Sequence, residues 1–285
     1  MNFKNLEEKC YYYRGLTDYK LLPNSNILVM LDGKKFSSLV KNNFKKPFDD
    51  NFIKMMNETA KYLCQNIQGA KFGYVQSDEI SILITDYDNP KTDTLFGGRL
   101  CKIQSILAAM ATAEFNRQFI LYNAFEKIDN WSGVQTADIH QKIKDMKLAQ
   151  FDCKAWVVPN ENDAFAWFLF RNIDCIRNSK QQTAQTWCSY EELKKKNTDE
   201  QINYLLEKHG VDWNTFSEGK KYGRFIVRKE EFFTKEINGE VIPFSRNKFN
   251  IIDGFPLNEE GNKEKFFDYI KKNDTIGIDF ETKGL

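Results

Sequence analysis

The feature that most constrains the fold is the position of two acidic segments within apolar runs. Asp32-Gly33 ends the run Ile27-Leu28-Val29-Met30-Leu31. Ser77-Asp78-Glu79 separates Phe72-Gly73-Tyr74-Val75-Gln76 from Ile80-Ser81-Ile82-Leu83-Ile84. These runs are short and read as buried strands, so each acidic segment stands at a strand end. Between them, Phe52, Ile53, Met56, Ala60, Leu63 and Ile67 recur at helical spacing. Asp49, a residue type that caps helix N-termini, precedes them. Leu95 to Leu121 reads as a second, long helix whose start is weakened by Gly97 and Gly98. Residues 151 to 158 read as a strand stopped by Pro159. The order is therefore strand, helix, strand, strand, helix, strand.

That order predicts an α+β fold of the ferredoxin-like, split βαβ kind. In it, the first two strands run parallel and the third lies antiparallel between them. The end of the first strand and the turn joining the second and third then share one sheet edge. Asp32 and Ser77-Asp78-Glu79 are expected to meet there. Either segment alone is ordinary turn chemistry, because Asp, Ser and Gly favour turns. Two at converging strand ends point instead to hard oxygen ligands for Mg²⁺ beside a nucleoside triphosphate.

Composition removes some classes of function. A formal net charge of +1 excludes a purely electrostatic, histone-like binder. The charge is nevertheless uneven, with Lys34, Lys35, Lys41, Lys45 and Lys46 just after the first acidic segment. A second basic stretch holds Lys220, Lys221, Arg224, Arg228 and Lys229. Six cysteines without a C-x-x-C pair, beside two histidines, speak against a zinc site. Buried reduced thiols in a cytoplasmic protein are the simpler expectation. The polar start, Met1 to Lys9, is not a signal peptide, and no apolar run reaches membrane-spanning length.

After residue 160 the pattern changes. Asn160 to Arg177 is helical in spacing, with Phe165, Trp167, Phe168 and Phe170 expected mostly in the core. Thr198 to Lys208 reads as a short amphipathic helix and Tyr222 to Val227 as a short strand. Glu230 to Phe244 reads as a hairpin turning at Asn238-Gly239.

These segments resemble the tRNA-histidine guanylyltransferase family and its 3′–5′ polymerase relatives. Leu31-Asp32-Gly33-Lys34-Lys35-Phe36 is similar to the family's metal-binding "DGR-F" segment. Lys46-Pro47-Phe48-Asp49 is similar to "KPND", and Gln76-Ser77-Asp78-Glu79 to "QSDE". Arg99-Leu100-Cys101-Lys102 falls where the family carries triphosphate-binding Arg and Lys. Phe151-Asp152-Cys153-Lys154 resembles "FDGR", and Lys221-Tyr222-Gly223-Arg224 a late basic-Gly motif. Six motifs in order are specific where any one is weak.

The resemblance implies a polymerase-palm-like catalytic sheet, nucleotide addition to tRNA 5′ ends, and homotetrameric assembly. It implies two Mg²⁺ ions held by Asp32, the Gly33 carbonyl and Asp78, with Glu79 as a further catalytic acid. GTP or ATP is the expected co-substrate, bound by Lys34, Lys35, Phe36, Lys46, Ser77, Arg99 and Lys102. Lys154, Asn178, Lys221 and Arg224 are expected to contact tRNA. Residues 1–159 form the expected catalytic domain, 160–228 a helical tRNA-contacting region and 229–285 a C-terminal extension. The run Asp174-Cys175-Ile176-Arg177-Asn178-Ser179 departs from the family's "HINN" segment by lacking its His. That departure favours templated repair of 5′-truncated tRNAs over strict histidine-tRNA specificity.

Two other readings share these residues: a palm-fold nucleotide cyclase, and a tRNA-binding protein with a vestigial site. The basic late region speaks against the first and the intact acids against the second. Asp279-Phe280-Glu281, after Ile276-Gly277-Ile278, has the spacing that opens a two-metal exonuclease. The sequence ends four residues later, without the further ligands, so this reading is set aside.

Overall fold

The computed structural model describes residues 3–87, 92–126, 135–237 and 240–271. Helix α1 (Leu6–Gly15) precedes strand β1 (Asn26–Gly33), and α2 (Phe36–Asn43) and α3 (Asp50–Asn66) follow. Strands β2 (Ala70–Gln76) and β3 (Glu79–Thr85) come next, then α4 (Leu100–Leu121), α5 (Thr136–Asp145) and β4 (Phe151–Val158). The long α6 (Glu161–Trp187) leads into α7 (Tyr190–Leu193), α8 (Thr198–His209) and α9 (Glu218–Tyr222). Strands β5 (Arg224–Ile237) and β6 (Glu240–Asp253) and helix α10 (Asn262–Lys271) complete the described chain.

The six strands form one sheet in the order β4-β1-β3-β2-β5-β6. β3 pairs antiparallel with both β1 and β2, which makes β1 and β2 parallel around it. This is the expected split βαβ core, and β4 pairs antiparallel with the outer side of β1. Alternation along the strands separates two hydrophobic layers. Ile27, Val29 and Leu31 pack with Met56, Leu63, Leu107 and Phe115 from α3 and α4. Leu28, Phe72, Tyr74 and Leu83 pack with Phe168 of α6 and Phe266 of α10 on the other side. A smaller cluster, including Ala184, Leu205 and Trp213, joins the end of α6 to α8.

Three boundaries differ from the sequence reading. α4 starts at Leu100, because Phe96, Gly97 and Gly98 adopt positive φ of 52°, 62° and 73° just before it. α6 runs ten residues beyond Arg177, to Trp187, since Ala184 continues its buried stripe. The expected short strand and hairpin are one ribbon: β5 and β6 pair continuously from Arg224↔Asp253 to Ile237↔Glu240. Phe72 to Val75 of β2 pair with Val227 to Arg224, so the ribbon's base extends the central sheet across position 228. The Asn238-Gly239 turn and the Asp279-Phe280-Glu281 segment lie outside the described residues. Among the described residues no helix is long and apolar enough to cross a membrane. Cys64, Cys175 and Cys188 are buried free thiols, whereas Cys10 and Cys101 are exposed.

Candidate active site

The site is built by strand register. Asp32 lies opposite Glu79 on β3 and opposite Asp152 on β4, while Gln76 of β2 lies opposite Glu79. Four polar side chains therefore share one row across four strands. Alternation places Asp32 on the Leu28 side, beneath α6. The β2–β3 turn is two residues long, and Ser77 takes φ +45° to close it. The Gly33 N–H donates to the Asp78 carbonyl at 3.2 Å, which ties the two acidic segments together. A Cβ at Gly33 would stand 2.4 Å from the Phe36 ring. Only glycine lets the strand end and the start of α2 pack this closely.

The row opens into a cleft of about 250 Å³. Asp32, Ser77, Asp78 and Glu79 form its acidic wall. Val40, Pro47, Phe48, Phe52 and Ile53 form an apolar wall opposite. Arg171 and Asn178 of α6, with Lys45, Lys220 and Arg224, add polar and cationic groups around it. The cleft thus offers a greasy slot beside carboxylates and cations, the composition a nucleotide needs.

Burial and mutual repulsion act on the acids. Burial raises the Asp32 carboxyl above its ordinary range, and Asp152 opposite raises it further. Burial raises Asp78 as well, with Asp32 adding to the shift against a hydrogen bond from the Ser77 hydroxyl. That bond is 2.9 Å long. Glu79 is raised by burial although Arg171 opposes the shift. Clustered carboxylates held partly out of water gain from a cation between them.

The donor set fits a hard divalent cation. Asp32 and Asp78 offer carboxylate oxygens and Gly33 a backbone carbonyl, and the thiol that lines the cleft, Cys175, is buried, with its pKa pushed up to about 11 by burial. Among the described residues no group of three or more His, Cys, Asp or Glu side chains forms a metal cage. Two carboxylates that leave positions open for water and phosphate are the arrangement Mg²⁺ favours.

Several expected roles need correction. Glu79 accepts two hydrogen bonds from Arg171, at 2.7 and 2.6 Å. The expected further catalytic acid is thus held through both oxygens by one guanidinium, as a charge-assisted pair. Phe36 is 2% exposed and packs against Phe115 and Phe151 at 5.2 and 5.0 Å. It is core, not a nucleotide contact. Lys221 is buried, with its ammonium on the Asn214 carbonyl at 3.2 Å and Glu218 at 2.9 Å. Its charge is used inside the fold and does not face a tRNA phosphate. Arg224 is also buried, donating to Asn57 at 2.9 Å and the Gly219 carbonyl at 3.3 Å. It lines the cleft and is not an open tRNA contact.

Arg99 and Lys102 are not brought to the cleft. Arg99 pairs with Asp18 at 3.0 Å, and Lys102 lies over the Phe96 ring at 5.1 Å. Their helix begins beyond the end of β3, where Thr85 pairs with Asn26. The acidic end is six residues away, about 20 Å along the strand at ~3.3 Å per residue. β3 runs away from the acidic turn, so the segment that follows it starts at the opposite edge.

The other expected residues lie near the site. Lys34 is exposed and donates to Gln150 Oε1 at 3.2 Å. Lys35 takes φ +57° at the entry to α2, and exposed Lys46 stands between the cleft residues Lys45 and Pro47. Lys154 is exposed on the strand face that carries Asp32, and its charge acts on Asp32. Asn178 is exposed at the cleft and donates to Asp174 at 3.1 Å. The sequence reading missed Arg171. Its signal was a lone guanidinium in the apolar stretch Phe165 to Ile173, where a buried charge needs a partner.

The sequence pattern of tRNA(His) guanylyltransferase matches residues 8–159, more than half of the 285-residue chain. The chain belongs to this family. It is 27% identical to the uncharacterized protein R259 of Acanthamoeba polyphaga mimivirus, over 82% of this chain and 80% of that protein. The fold is similar to that of a bacterial tRNA(His) guanylyltransferase-like protein solved in complex with ATP. That match has a TM-score of 0.74 and 28% identity, covering 93% of this chain and 99% of the other. A complex of such a bacterial protein with GTP matches at a TM-score of 0.67 and 28% identity, over 95% and 99%. The family is one of nucleotidyltransferases, and the observed sheet is the split βαβ core expected from the order of elements and the palm-like sheet that the resemblance implied.

Proposed function

We propose that this guanylyltransferase-family chain adds nucleotides to tRNA 5′ ends in the 3′–5′ direction, with GTP or ATP as co-substrate. The observation that carries the reading is the convergence of Asp32 and Asp78 at one sheet edge, inside a cleft with an apolar wall. Asp32, the Gly33 carbonyl and Asp78 would hold Mg²⁺. When bound, the metal supplies a counter-charge for the triphosphate and lowers the pKa of a coordinated hydroxyl. Phe48, Phe52 and Ile53 give a nucleobase an apolar surface to lie against. Lys45, Lys46 and Lys220 line or flank the opening, where they draw in phosphate charge. Arg171 holds Glu79 and lowers the repulsion that Asp32 feels. The relatives solved with ATP and with GTP support either nucleotide as a ligand.

The absence of His from Asp174–Ser179 supports templated repair rather than recognition of one tRNA. Pairing with the 3′ strand then supplies specificity, while phosphate contacts position the substrate without reading bases. Assembly as a homotetramer, implied by the family resemblance, and a cytoplasmic location, read from the unpaired cysteines, belong to the same proposal.

The test is incubation with Mg²⁺, GTP or ATP, and labelled tRNAs shortened at the 5′ end. Several truncated tRNAs are expected to be extended at comparable rates, each with the nucleotide complementary to its 3′ strand. Strong selectivity for full-length histidine tRNA would overturn the repair reading. A cyclic nucleotide without longer RNA would overturn the tRNA reading altogether. Sedimentation of the same protein gives the subunit count.

A further inference from the structure

Beside the cleft lies a surface whose aromatic residues, Trp156, Trp167 and Phe170, do not line the cleft itself. On β4, Asp152, Lys154 and Trp156 alternate onto the face that carries Asp32, and Asp152 is Asp32's register partner. Trp156 lies four residues from that partner, about 13 Å along the strand. Its ring meets Trp167 of α6 edge-on, with centroids 4.7 Å apart at 77°. Trp167 in turn lies 6.0 Å from Phe170. The Trp167 indole N–H donates to Ser81 Oγ at 3.1 Å, which fixes that ring on the sheet. The Arg171 guanidinium lies over Trp167 and Phe170 at 5.8 and 5.2 Å while its nitrogens hold Glu79.

Trp156 and Trp167 are half-buried against the core, and Phe170, beside Arg171, is the ring that reaches solvent. Phe170 is 57% exposed and Ile173, one turn on, is 48% exposed. Lys154, on the strand of Trp156, and Arg177, two turns beyond Phe170 on α6 and paired with Asp174, are both exposed. A partner for this surface must combine a flat π-surface with negative charge. The open end of an RNA stem does both: its terminal base pair presents a bare ring face, and its phosphates lie alongside. Duplex interiors do not offer that face, so a stacking surface reads an end without reading sequence.

We propose that the exposed Phe170 ring, backed by the half-buried Trp167 and Trp156, is a stacking surface for the terminal base pair of an RNA acceptor stem, with Lys154 and Arg177 on the adjoining phosphates. The proposal rests on the tRNA nucleotidyltransferase reading and adds how that substrate's end is recognised and held. Arg171 links the stacking surface to the acids, since the same guanidinium touches both.

The experiment uses the full chain and two labelled RNAs: an acceptor-stem hairpin with one open end, and a dumbbell of the same stem closed at both ends. Phe170→Ala is expected to weaken open-hairpin binding about 5- to 160-fold, from the ~1–3 kcal/mol of a base–aromatic stack. Phe170→Trp, which restores a ring, should keep wild-type affinity and lose tryptophan fluorescence when the hairpin binds. ATP binding and dumbbell binding should not change in Phe170→Ala. Trp156→Ala should behave in the same direction. Equal hairpin affinity in wild type and Phe170→Ala would overturn the stacking surface, as would an equal loss on the dumbbell. Unchanged RNA binding with lost self-association in sedimentation would make these rings a contact between copies, and would also overturn it. Failure of the wild-type chain to bind or extend RNA at all would instead overturn the functional reading beneath.

Discussion

The two ends of the central sheet treat buried acids in opposite ways. At the end where β3 finishes, Asp86 is 4% exposed and fully engaged. It accepts from the Ser25 N–H at 3.0 Å and from the Thr94 hydroxyl at 2.5 Å. At the other end, Asp32 faces Glu79 and Asp152 by register, and its carboxyl is raised by burial and by Asp152. Asp86 has donors that reward its charge. Asp32 and Asp78 remain raised despite Lys154 and Arg171 acting on the first and the Ser77 hydroxyl on the second. A fold keeps such an arrangement when something outside the chain completes it. Asp86 is thus architecture, and the contrast supports the proposal that Asp32 and Asp78 carry the chemistry.

Mutation should give the two ends of the sheet opposite outcomes. Asp32→Ala and Asp78→Ala are each expected to lower nucleotide addition by at least about a thousandfold, with folding stability kept or slightly raised. Asp86→Ala is expected to do the reverse: it strands the Ser25 and Thr94 donors and costs about 2–4 kcal/mol of stability. Single-turnover extension of a truncated tRNA and urea melts on the same samples read both quantities. Activity within tenfold of wild type in Asp32→Ala would remove Asp32 from the chemistry.

A second, smaller effect concerns the Glu79–Arg171 pair. Arg171→Met leaves Glu79 buried without its partner and is expected to cost about 3–5 kcal/mol. The double variant Arg171→Met/Glu79→Gln removes both charges and should recover much of that loss. If the double variant is no more stable than Arg171→Met, Glu79 is not held by charge pairing. The recovered fold is still expected to be slow in nucleotide addition, because Asp32 loses the nearby positive charge.

The smallest effect is a pH slope. Raised Asp32, Asp78 and Glu79 carboxyls mean that the folded chain holds more protons than the unfolded chain between the ordinary carboxylate range and the raised values. The contribution of these groups to unfolding free energy therefore falls as pH rises through that window. Asp78→Asn removes one of them, so its stability should fall less steeply from pH 4 to 7 than wild type in metal-free buffer. Adding Mg²⁺ at pH 7 should stabilise wild type more than Asp78→Asn. Parallel slopes with and without the substitution would mean that Asp78 gains no protons on folding.

Much of this was legible in the chain. The acids at strand ends, the cap at Asp49 and the 3.6-residue stripe of α3 all follow from local pattern. Asp49 does cap α3, accepting from the Asn51 and Phe52 amides. The positions of Arg99, Lys102 and Lys221 were not legible, for a shared reason. Basic residues in matching motifs look alike in sequence, whether they line a cleft, stand at the far edge or are buried. Arg99 lies beside Asp18 because β3 carries the chain away from the acids. Lys221 turns inward because Trp213 and Tyr222 offer rings at 5.6 and 5.3 Å and Glu218 offers a charge.

The sequence by itself determined the order of strands and helices, hence the split βαβ core and the edge where Asp32 meets Ser77-Asp78-Glu79. Periodicity and turn chemistry act over a few residues, so they can be read without the fold. Only the tertiary structure decided which charges are free to act. It gave Glu79 to Arg171 across 92 positions of chain, joined β5 and β6 to the central sheet, and lined the cleft with Phe48 and Phe52 opposite the acids. Those outcomes depend on long-range packing and on desolvation, which set the fate of each charge by its neighbours in space rather than along the chain.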